Sequence, residues 1–444
     1  MTTARTSDRF RVGLGLIAFG ALLLRTTYVN GVSAPLGGDG LYYHSIASLI
    51  ADGKGFISPE PYLRHGEIVA WAPHAPAWPL TLASAALVGL RSTYEQQLIA
   101  CLIGTATVVL VAFAGRRIAG ETAGLIAGAI ATLYPNFWLY ERELMSETLT
   151  LFGSALTVLL AYRFRDRPSR GRALALGFSC GFLALTHSEQ LLLVGLLLVP
   201  LIFLARSEPL RRRAGWAALA VAAVVITMLP WAVYNSARFD TPVLIGTGFG
   251  ITLAVSNCQY TYSGSHLGFQ NDNCTAAAEA TGRIKGANEA IMDTKFRDVG
   301  LDYARDHLSR LPVVIAAREG RLWSVFRVRQ QMRFDAFRNT QPVVINTGYV
   351  MYWVLLPVAV LGAVVLRRRR VTLLPLLALI ITVSIGVAVT YGFTRFRASA
   401  EVAIVLLAAV GVDAVLRRRA RRRQAIAPEP SARPQEPAAG IPAS

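Results

Sequence analysis

Apolar runs of membrane-spanning length alternate along the chain with short polar breaks, and the breaks alternate in charge. Runs near 11–29, 96–115, 121–140, 144–162, 173–190, 191–206, 214–233, 344–366, 371–391 and 398–416 predict about ten helices, most of them close to the ~20 residues needed to cross a hydrocarbon core. The run from Trp78 to Leu90 is apolar but too short to cross, and it predicts a helix lying at the outer membrane surface. Every second break is rich in arginine: Arg5/Arg9/Arg11, Arg116/Arg117, Arg163 to Arg172, Arg206 to Arg213, Arg367 to Arg370 and Arg417 to Arg423. Short Lys/Arg-rich loops stay on the cytoplasmic side. The alternation therefore predicts a multi-pass protein of the plasma (inner) membrane with both termini cytoplasmic. The breaks that carry Asp39, Glu141, Glu143, Glu147, Glu189 and the pair Arg395/Arg397 then face outside, where they can converge on one extracytoplasmic site.

Two of the predicted outer loops are too long to be connections. Loop 30–95 holds Gly37-Gly38-Asp39-Gly40, then Tyr42, Tyr43 and His44, then Trp71-Ala72-Pro73-His74-Ala75-Pro76. Segment 234–343 has the length of a small domain of its own. Inside it, Thr275–Arg310 has mixed-charge helical composition. Pro312–Phe326 reads as an amphipathic segment returning to the membrane surface, with Val313, Val314, Ala317, Leu322 and Trp323 on its apolar side. The expected organisation is an N-terminal transmembrane module (1–233, including loop 30–95), an extracytoplasmic loop domain (234–343), C-terminal transmembrane helices (344–416) and a basic tail (417–444). Beyond Arg423 the tail turns to Pro, Ala, Glu and Ser without periodicity and is expected to be disordered. The apolar stretch Val12–Val29 has no small-residue cleavage site after it and is read as a retained span.

Composition narrows the class. With 444 residues, 53% apolar and only 16% charged, the chain is not a soluble domain. Its net charge of +18 suggests nucleic acid at first sight, but the arginines flank apolar runs, so membrane lipids are the expected partner and nucleic acid is not. Cys101 and Cys180 lie within apolar runs. Cys258 and Cys274 flank a Tyr/Ser/Asn-rich loop outside, where an oxidising compartment permits a disulfide, two free thiols being the alternative.

Four clusters carry candidate chemistry. Asp39, between glycines, is placed to act as a general base on a hydroxyl, although locally an Asp before Tyr42 reads first as a helix cap. Glu143 and Glu147, four residues apart, share a helix face with which they could orient a substrate hydroxyl or bind a divalent cation. Acids also simply favour a helix start. Glu147 stands out because it leads directly into an apolar run, where an ionisable group is costly. His187 and Glu189 occupy a turn and are too few for a metal site by themselves. Arg395 and Arg397 either snorkel to outer headgroups or clamp a phosphate, whose oxygens match the guanidinium fork.

In order and sidedness, the segments GGDGLYYHSIASLIADGKGF, APHAPAWPLTLA, ERELMSETLTLFGSAL, THSEQLLL, LPWAVYN and YGFTRFRASAEVAIVLLAAVG resemble the GT-C superfamily of polyprenyl-phosphate-sugar-dependent glycosyltransferases. The similarity is to the family 39 and aminoarabinose-transferase-like branch, and it covers the chain to about residue 416. It implies an all-α GT-C-like polytopic fold with a large first extracytoplasmic loop and a small extracytoplasmic domain. It further implies transfer of a hexosyl or pentosyl unit from a polyprenyl-phosphate donor to a hydroxyl of an envelope glycan, lipid or protein on the extracytoplasmic face. By position, Asp39 falls on the family's base, Glu147 on its second acid and Arg395 on its lipid-phosphate contact. Arg397, Arg238, Tyr43, His44, Glu143, His187 and Glu189 are the further substrate or lipid-phosphate candidates. Many relatives carry PW..RN where this chain has Pro230-Trp231-Ala232-Val233-Tyr234-Asn235, which leaves Arg238 as the substitute arginine. Asp39 lacks the adjacent Glu of the protein-mannosyltransferase DE pair, so a protein-mannosylating role is not expected. No cofactor is assigned, and a divalent cation stays open because the acids form no ligand motif.

Two other classes compete. A transporter or lipid-linked-sugar flippase predicts acids or broken helices at mid-span, and Glu401 and Asp413 are the acids well inside the late spans. A structural protein that docks a partner on segment 234–343 gives the acids at the ends of different spans no purpose.

Overall fold

The computed structural model describes residues 7–32, 34–239, 241–286, 288–336 and 341–426, and among these the regular elements are helices, with an isolated bridge between Ile57 and Ala70. Arg5, the side chain of Arg423 and the tail expected beyond residue 426 lie outside the described residues. The frame consists of α1 (Asp8–Gly31), α2 (Gly38–Ala51), α3 (Ala77–Leu87), α4 (Thr93–Ala119), α5 (Glu121–Leu133), α6 (Glu147–Asp166), α7 (Arg170–Ala184), α8 (Leu210–Ser236), α9 (Phe249–Ser256), α10 (Glu289–Asp306), α11 (Leu311–Leu322), α12 (Pro342–Arg368), α13 (Leu374–Val389) and α14 (Ala398–Ile426). Their starts follow local chemistry. At α4, Ser92 accepts the Glu95 N–H while Glu95 accepts the Ser92 N–H, a reciprocal capping box. Ser7, Ser169 and Asn288 cap α1, α7 and α10 with their side chains.

Among the described residues, five helical segments are long and apolar enough to cross a membrane: Asp8–Gly31, Thr93–Ala119, Leu210–Ser236, Pro342–Arg368 and Thr394–Arg422. The other predicted spans are shorter or broken. The run 121–140 is a continuous α-helix only to Leu133, because Pro135 cannot extend the ladder of backbone bonds, and short turns follow at Pro135–Phe137 and Leu139–Arg142. The run 173–206 ends as α7 at Ala184 and resumes as the irregular helical segment Ser188–Phe203, leaving Thr186 and His187 in the gap. The Trp78–Leu90 run forms α3, with Trp78 and Leu82 buried and Leu80 and Leu87 exposed.

The centre of the molecule is α14, buried nearly throughout from Ala398 to Val410 and packed on α12, α5, α13 and α6. Glycine permits its closest contact. A Cβ on Gly362 would stand 1.9 Å from the Leu407 carbonyl oxygen, and one on Gly411 would stand 2.3 Å from that of Val358. Backbones of α12 and α14 thus meet directly, the packing mode that serves where lipid removes the hydrophobic drive between helices.

Between α8 and α12 the chain folds into a helical loop domain. A disulfide joins Cys258 and Cys274, with Cα atoms 5.7 Å apart. Asp293 of α10 accepts the N–H groups of Gly250 and Ile251 at 2.9 Å each, which caps α9 from outside. The amphipathic reading of Pro312–Phe326 needs correction. In α11, Val314, Ala317 and Leu322 are buried as expected, but Val313 is exposed and Arg318 and Arg321 are buried. Arg318 reaches the α13 terminus at the Ala388 carbonyl (2.8 Å) and the loop domain at the Ser256 carbonyl (2.7 Å) and Asn257 Oδ1 (2.9 Å). Those three acceptors take the Nη1 and Nη2 groups of a guanidinium that periodicity alone would place in solvent.

Candidate active site

Helix α2 begins at Gly38, with Gly37 before it and no side-chain cap. Asp39 is therefore not the helix cap that its local sequence suggests. It stands in the first turn, and its Oδ2 accepts Nη1 of Arg395 at 2.6 Å, from the opposite end of the chain. Gly40 lets α2 lie directly against the Glu143 backbone, because a Cβ there would lie 2.1 Å from the Glu143 carbonyl oxygen.

The non-helical passage ahead of α6 is held by donors from two helices. Trp78 Nε1 bonds the Leu144 carbonyl and Gln97 Nε2 bonds the Arg142 carbonyl, each at 2.6 Å. Leu144 has a φ of 50°, uncommon outside glycine. Immediately after this reversal comes Glu147, the first residue of α6. It is 1% exposed, and neither carboxylate oxygen has a hydrogen-bond partner among the described residues. Its nearest counter-ion is Arg395, with Nε 3.7 Å from Oε1. A buried carboxylate left with one loose ion pair is costly unless something else binds it.

Asp39, Glu147 and Arg395 line one cavity of about 960 Å³. Tyr43, His74, Ser146, His187 and Glu189 share its polar wall, and the loop domain contributes Gly246–Phe249, Asp293 and Arg297. Leu191, Leu192, Val383, Ile385, Val387 and Val389 make an apolar flank between the Ser188–Phe203 segment and α13. Burial raises the pKa of the Tyr43 phenol, and Asp39 and Glu147 raise it further, so it stays a neutral donor.

The structure separates other sequence candidates from this cavity. His44 Nδ1 pairs with Gln96 Oε1 at 2.9 Å. Arg238 bonds the Phe56 carbonyl and Asn235 Oδ1 and lies over the Tyr234 ring, 4.3 Å from its centroid. Glu143 pairs with Arg142 at 2.6 Å and Glu141 with Arg25 at 2.8 Å, both buried. Arg397 pairs with Glu401 at 2.7 Å and packs 3.7 Å from the Tyr352 ring centroid. None of the five borders the large cavity, although Glu143, Arg395 and Arg397 all touch a small one of about 50 Å³. The expectation that all the outer acids and both arginines converge is thus corrected. Arg395 and Arg397 are two residues apart on the tight turn Thr394–Arg397, so their side chains diverge.

His74 was not singled out by sequence. It sits between Pro73 and Pro76, with its ring 5.0 Å from Tyr42 and 5.3 Å from Tyr43. Burial holds its pKa below the usual histidine value against the opposing pull of Asp39, so it is a neutral imidazole in the cavity wall. Its signal in the sequence is a histidine fixed by flanking prolines in a loop rich in aromatics. Among the described residues no group of three or more His, Cys, Asp or Glu side chains could hold a metal ion. The donor set of the described residues therefore does not fit a metal site.

This helical membrane frame, with an acid from the first long loop and an arginine from the last turn meeting in one cavity, has the GT-C fold, and the resemblance read from the sequence is borne out. Residues 73–234 match the family model of dolichyl-phosphate-mannose-protein mannosyltransferases. The fold is similar to that of the Archaeoglobus fulgidus oligosaccharyltransferase in complex with zinc and sulfate, at 16% identity and a TM-score of 0.54, over 92% of this chain and 50% of that one. It is similar also to AglB of the same organism in complex with an inhibitory peptide and a dolichol-phosphate, at 13% identity and a TM-score of 0.52, over 96% and 52%. ArnT from Cupriavidus metallidurans bound to undecaprenyl phosphate matches at 16% identity and a TM-score of 0.42, over 96% and 82%. The chain spans about half the length of the oligosaccharyltransferase chains it matches. No curated protein matches it in sequence.

Proposed function

We propose that this chain is a membrane glycosyltransferase that moves a monosaccharide from a polyprenyl-phosphate donor to a hydroxyl of an envelope acceptor on the extracytoplasmic face. The observation that carries the reading is the single cavity in which Arg395 lies 2.6 Å from Asp39 and 3.7 Å from Glu147, beside an apolar flank. The flank suits a lipid chain, and Arg395 suits the phosphate at its head. In the transfer the acceptor oxygen bonds to the sugar's anomeric carbon, and the bond from that carbon to the phosphate oxygen breaks with its electron pair on phosphate. Asp39 takes the acceptor proton, its carboxyl group held in place by the adjacent guanidinium. Arg395 stabilises the charge that develops on the departing phosphate. Glu147, with both oxygens unbonded, is suited to hold a hydroxyl of the sugar or the acceptor.

Against transport stands the pairing of the two mid-span acids: Glu401 is taken by Arg397 at 2.7 Å and Asp413 by Arg417 at 2.8 Å. The test uses membranes carrying Asp39→Asn or Glu147→Gln, supplied with a panel of polyprenyl-phosphate sugars. Each variant is expected to lose at least about 100-fold in transfer rate, the scale of a lost acid–base group. Normal transfer by both would remove them from catalysis. Lipid translocation without any transfer would favour the flippase.

A further inference from the structure

Next to Glu147 the cavity wall contains a hydroxyl, an imidazole and a carboxylate in sequence. Ser146 Oγ lies 3.1 Å from His187 Nε2, and His187 Nδ1 lies 3.5 Å from Glu189 Oε1. The Tyr43 hydroxyl donates to Ser146 Oγ at 3.2 Å. Ser146 Oγ keeps a lone pair that can accept the Nε2 proton of a protonated His187 ring and has its own proton to pass on, while the Nδ1 side of the ring faces Glu189. The turn that carries His187 is itself fixed, since Thr186 accepts a bond from Thr150 at 3.1 Å and donates to the Leu183 carbonyl at 2.7 Å. Glu189 packs on α13, where its Cβ and Cγ would lie 3.2 Å from a Cβ at Gly386. The imidazole therefore lines the cavity next to the apolar flank formed with α13.

We infer that His187, oriented by Glu189 and linked through Ser146, is a second proton-handling group of this cavity, which delivers a proton to the departing phosphate oxygen. The inference rests on the transferase reading and extends it. As the bond between sugar and phosphate breaks, the imidazolium gives the Nε2 proton to the phosphate oxygen, directly or across the Ser146 hydroxyl. The acceptor proton taken by Asp39 then returns to Nε2, which restores both groups. In net terms the acceptor proton ends on the lipid phosphate. The charged and titratable groups that line the cavity with His187 and Glu189 are Glu147 on α6, Asp39 and Tyr43 on α2, His74 in the first loop, Tyr391 and Arg395 in the late turn, and Asp293 and Arg297 in the loop domain. On α13 the cavity-facing stretch Val383–Val389 has no titratable side chain.

Two readouts test this. Binding of a polyprenyl phosphate to the purified protein in detergent is measured across the pH range in which imidazole titrates. The wild type is expected to bind more tightly toward the acid end, and His187→Gln is expected to lose about tenfold of that gain, the weight of one charge-assisted bond. Retention of the wild-type pH dependence by His187→Gln would overturn the inference. In transfer assays His187→Gln is expected to lower kcat about 100-fold with donor KM little changed, and Ser146→Ala to lower kcat as well. Imidazole added to His187→Gly should restore part of the rate, which a merely structural histidine would not allow. Unchanged kcat in His187→Gln, or no rescue of a folded His187→Gly, contradicts the proposal. A wild type that binds the lipid with this pH dependence yet transfers no sugar sinks the transferase reading and leaves His187 as a phosphate ligand.

Discussion

Two arginines two positions apart behave oppositely because of what surrounds them. Arg397 is buried against Glu401 and Tyr352, whereas Arg395 borders the cavity and shares itself between two carboxylates. Arg397→Ala leaves Glu401 buried without its counter-ion and with only the neutral donors Tyr134 and Asn136, which is expected to cost roughly 3–5 kcal/mol and to lower the unfolding temperature in detergent. Arg395→Lys should leave that temperature nearly unchanged and raise donor KM instead, since a lysine cannot bridge Asp39, Glu147 and a phosphate as a fork does. The opposite ranking of the two variants in the melting experiment would show the assignment to be inverted. Asp39, Glu147 and Arg395 were legible in the sequence because each is an ionisable residue at a predicted helix end, where only function or pairing justifies it. Glu141, Glu143 and Arg397 satisfy the same description. Glu141 is paired by the fold with the distant Arg25, whereas the adjacent Arg142 for Glu143 and the i+4 Glu401 for Arg397 are partners that local spacing does announce.

At the scale of elements, the site depends on how closely α2 approaches the passage ahead of α6. Gly40→Ala places a methyl group on the Glu143 carbonyl. The expected loss is about 1–3 kcal/mol together with most of the transfer activity, because α2 carries Asp39 and must shift. Wild-type melting and activity in this variant would mean that the approach is looser than described. Most long helices could be read from their apolar runs and caps. The breaks could not: Pro135 marks one, but the gap at Thr186 and His187 follows from contacts with Ser146 and Thr150 that no period reveals. The same holds for α11, where Arg318 and Arg321 occupy buried positions because backbone carbonyls of other elements receive them.

For the whole molecule, the loop domain closes over the cavity through contacts with the first long loop. Glu289 accepts the Ala72 N–H at 2.8 Å, and Thr247 donates its N–H to the Ala72 carbonyl at 2.8 Å. Burial pushes the Glu289 carboxyl up to about 7, only partly offset by the Ala72 bond. A folded-state value above the unfolded one means that the native state binds the proton more tightly. Its stabilisation is complete below the unfolded carboxylate range and is lost as pH rises through about 7. Protection of the amides in residues 70–76, taken relative to their intrinsic base-catalysed exchange, should therefore fall between pH 6 and 8, roughly the span over which such a group titrates, and Glu289→Gln should flatten the response. An equal pH response in the variant would assign it to other groups. The central claim, that the cavity joining Asp39, Glu147 and Arg395 is where a lipid-linked sugar reacts, is tested most directly by a structure with a polyprenyl-phosphate sugar bound. The account predicts phosphate oxygens within about 3 Å of the Arg395 guanidinium, the lipid along α13 and the anomeric carbon facing Asp39. A phosphate held elsewhere, with Arg395 still paired to Asp39, would contradict it.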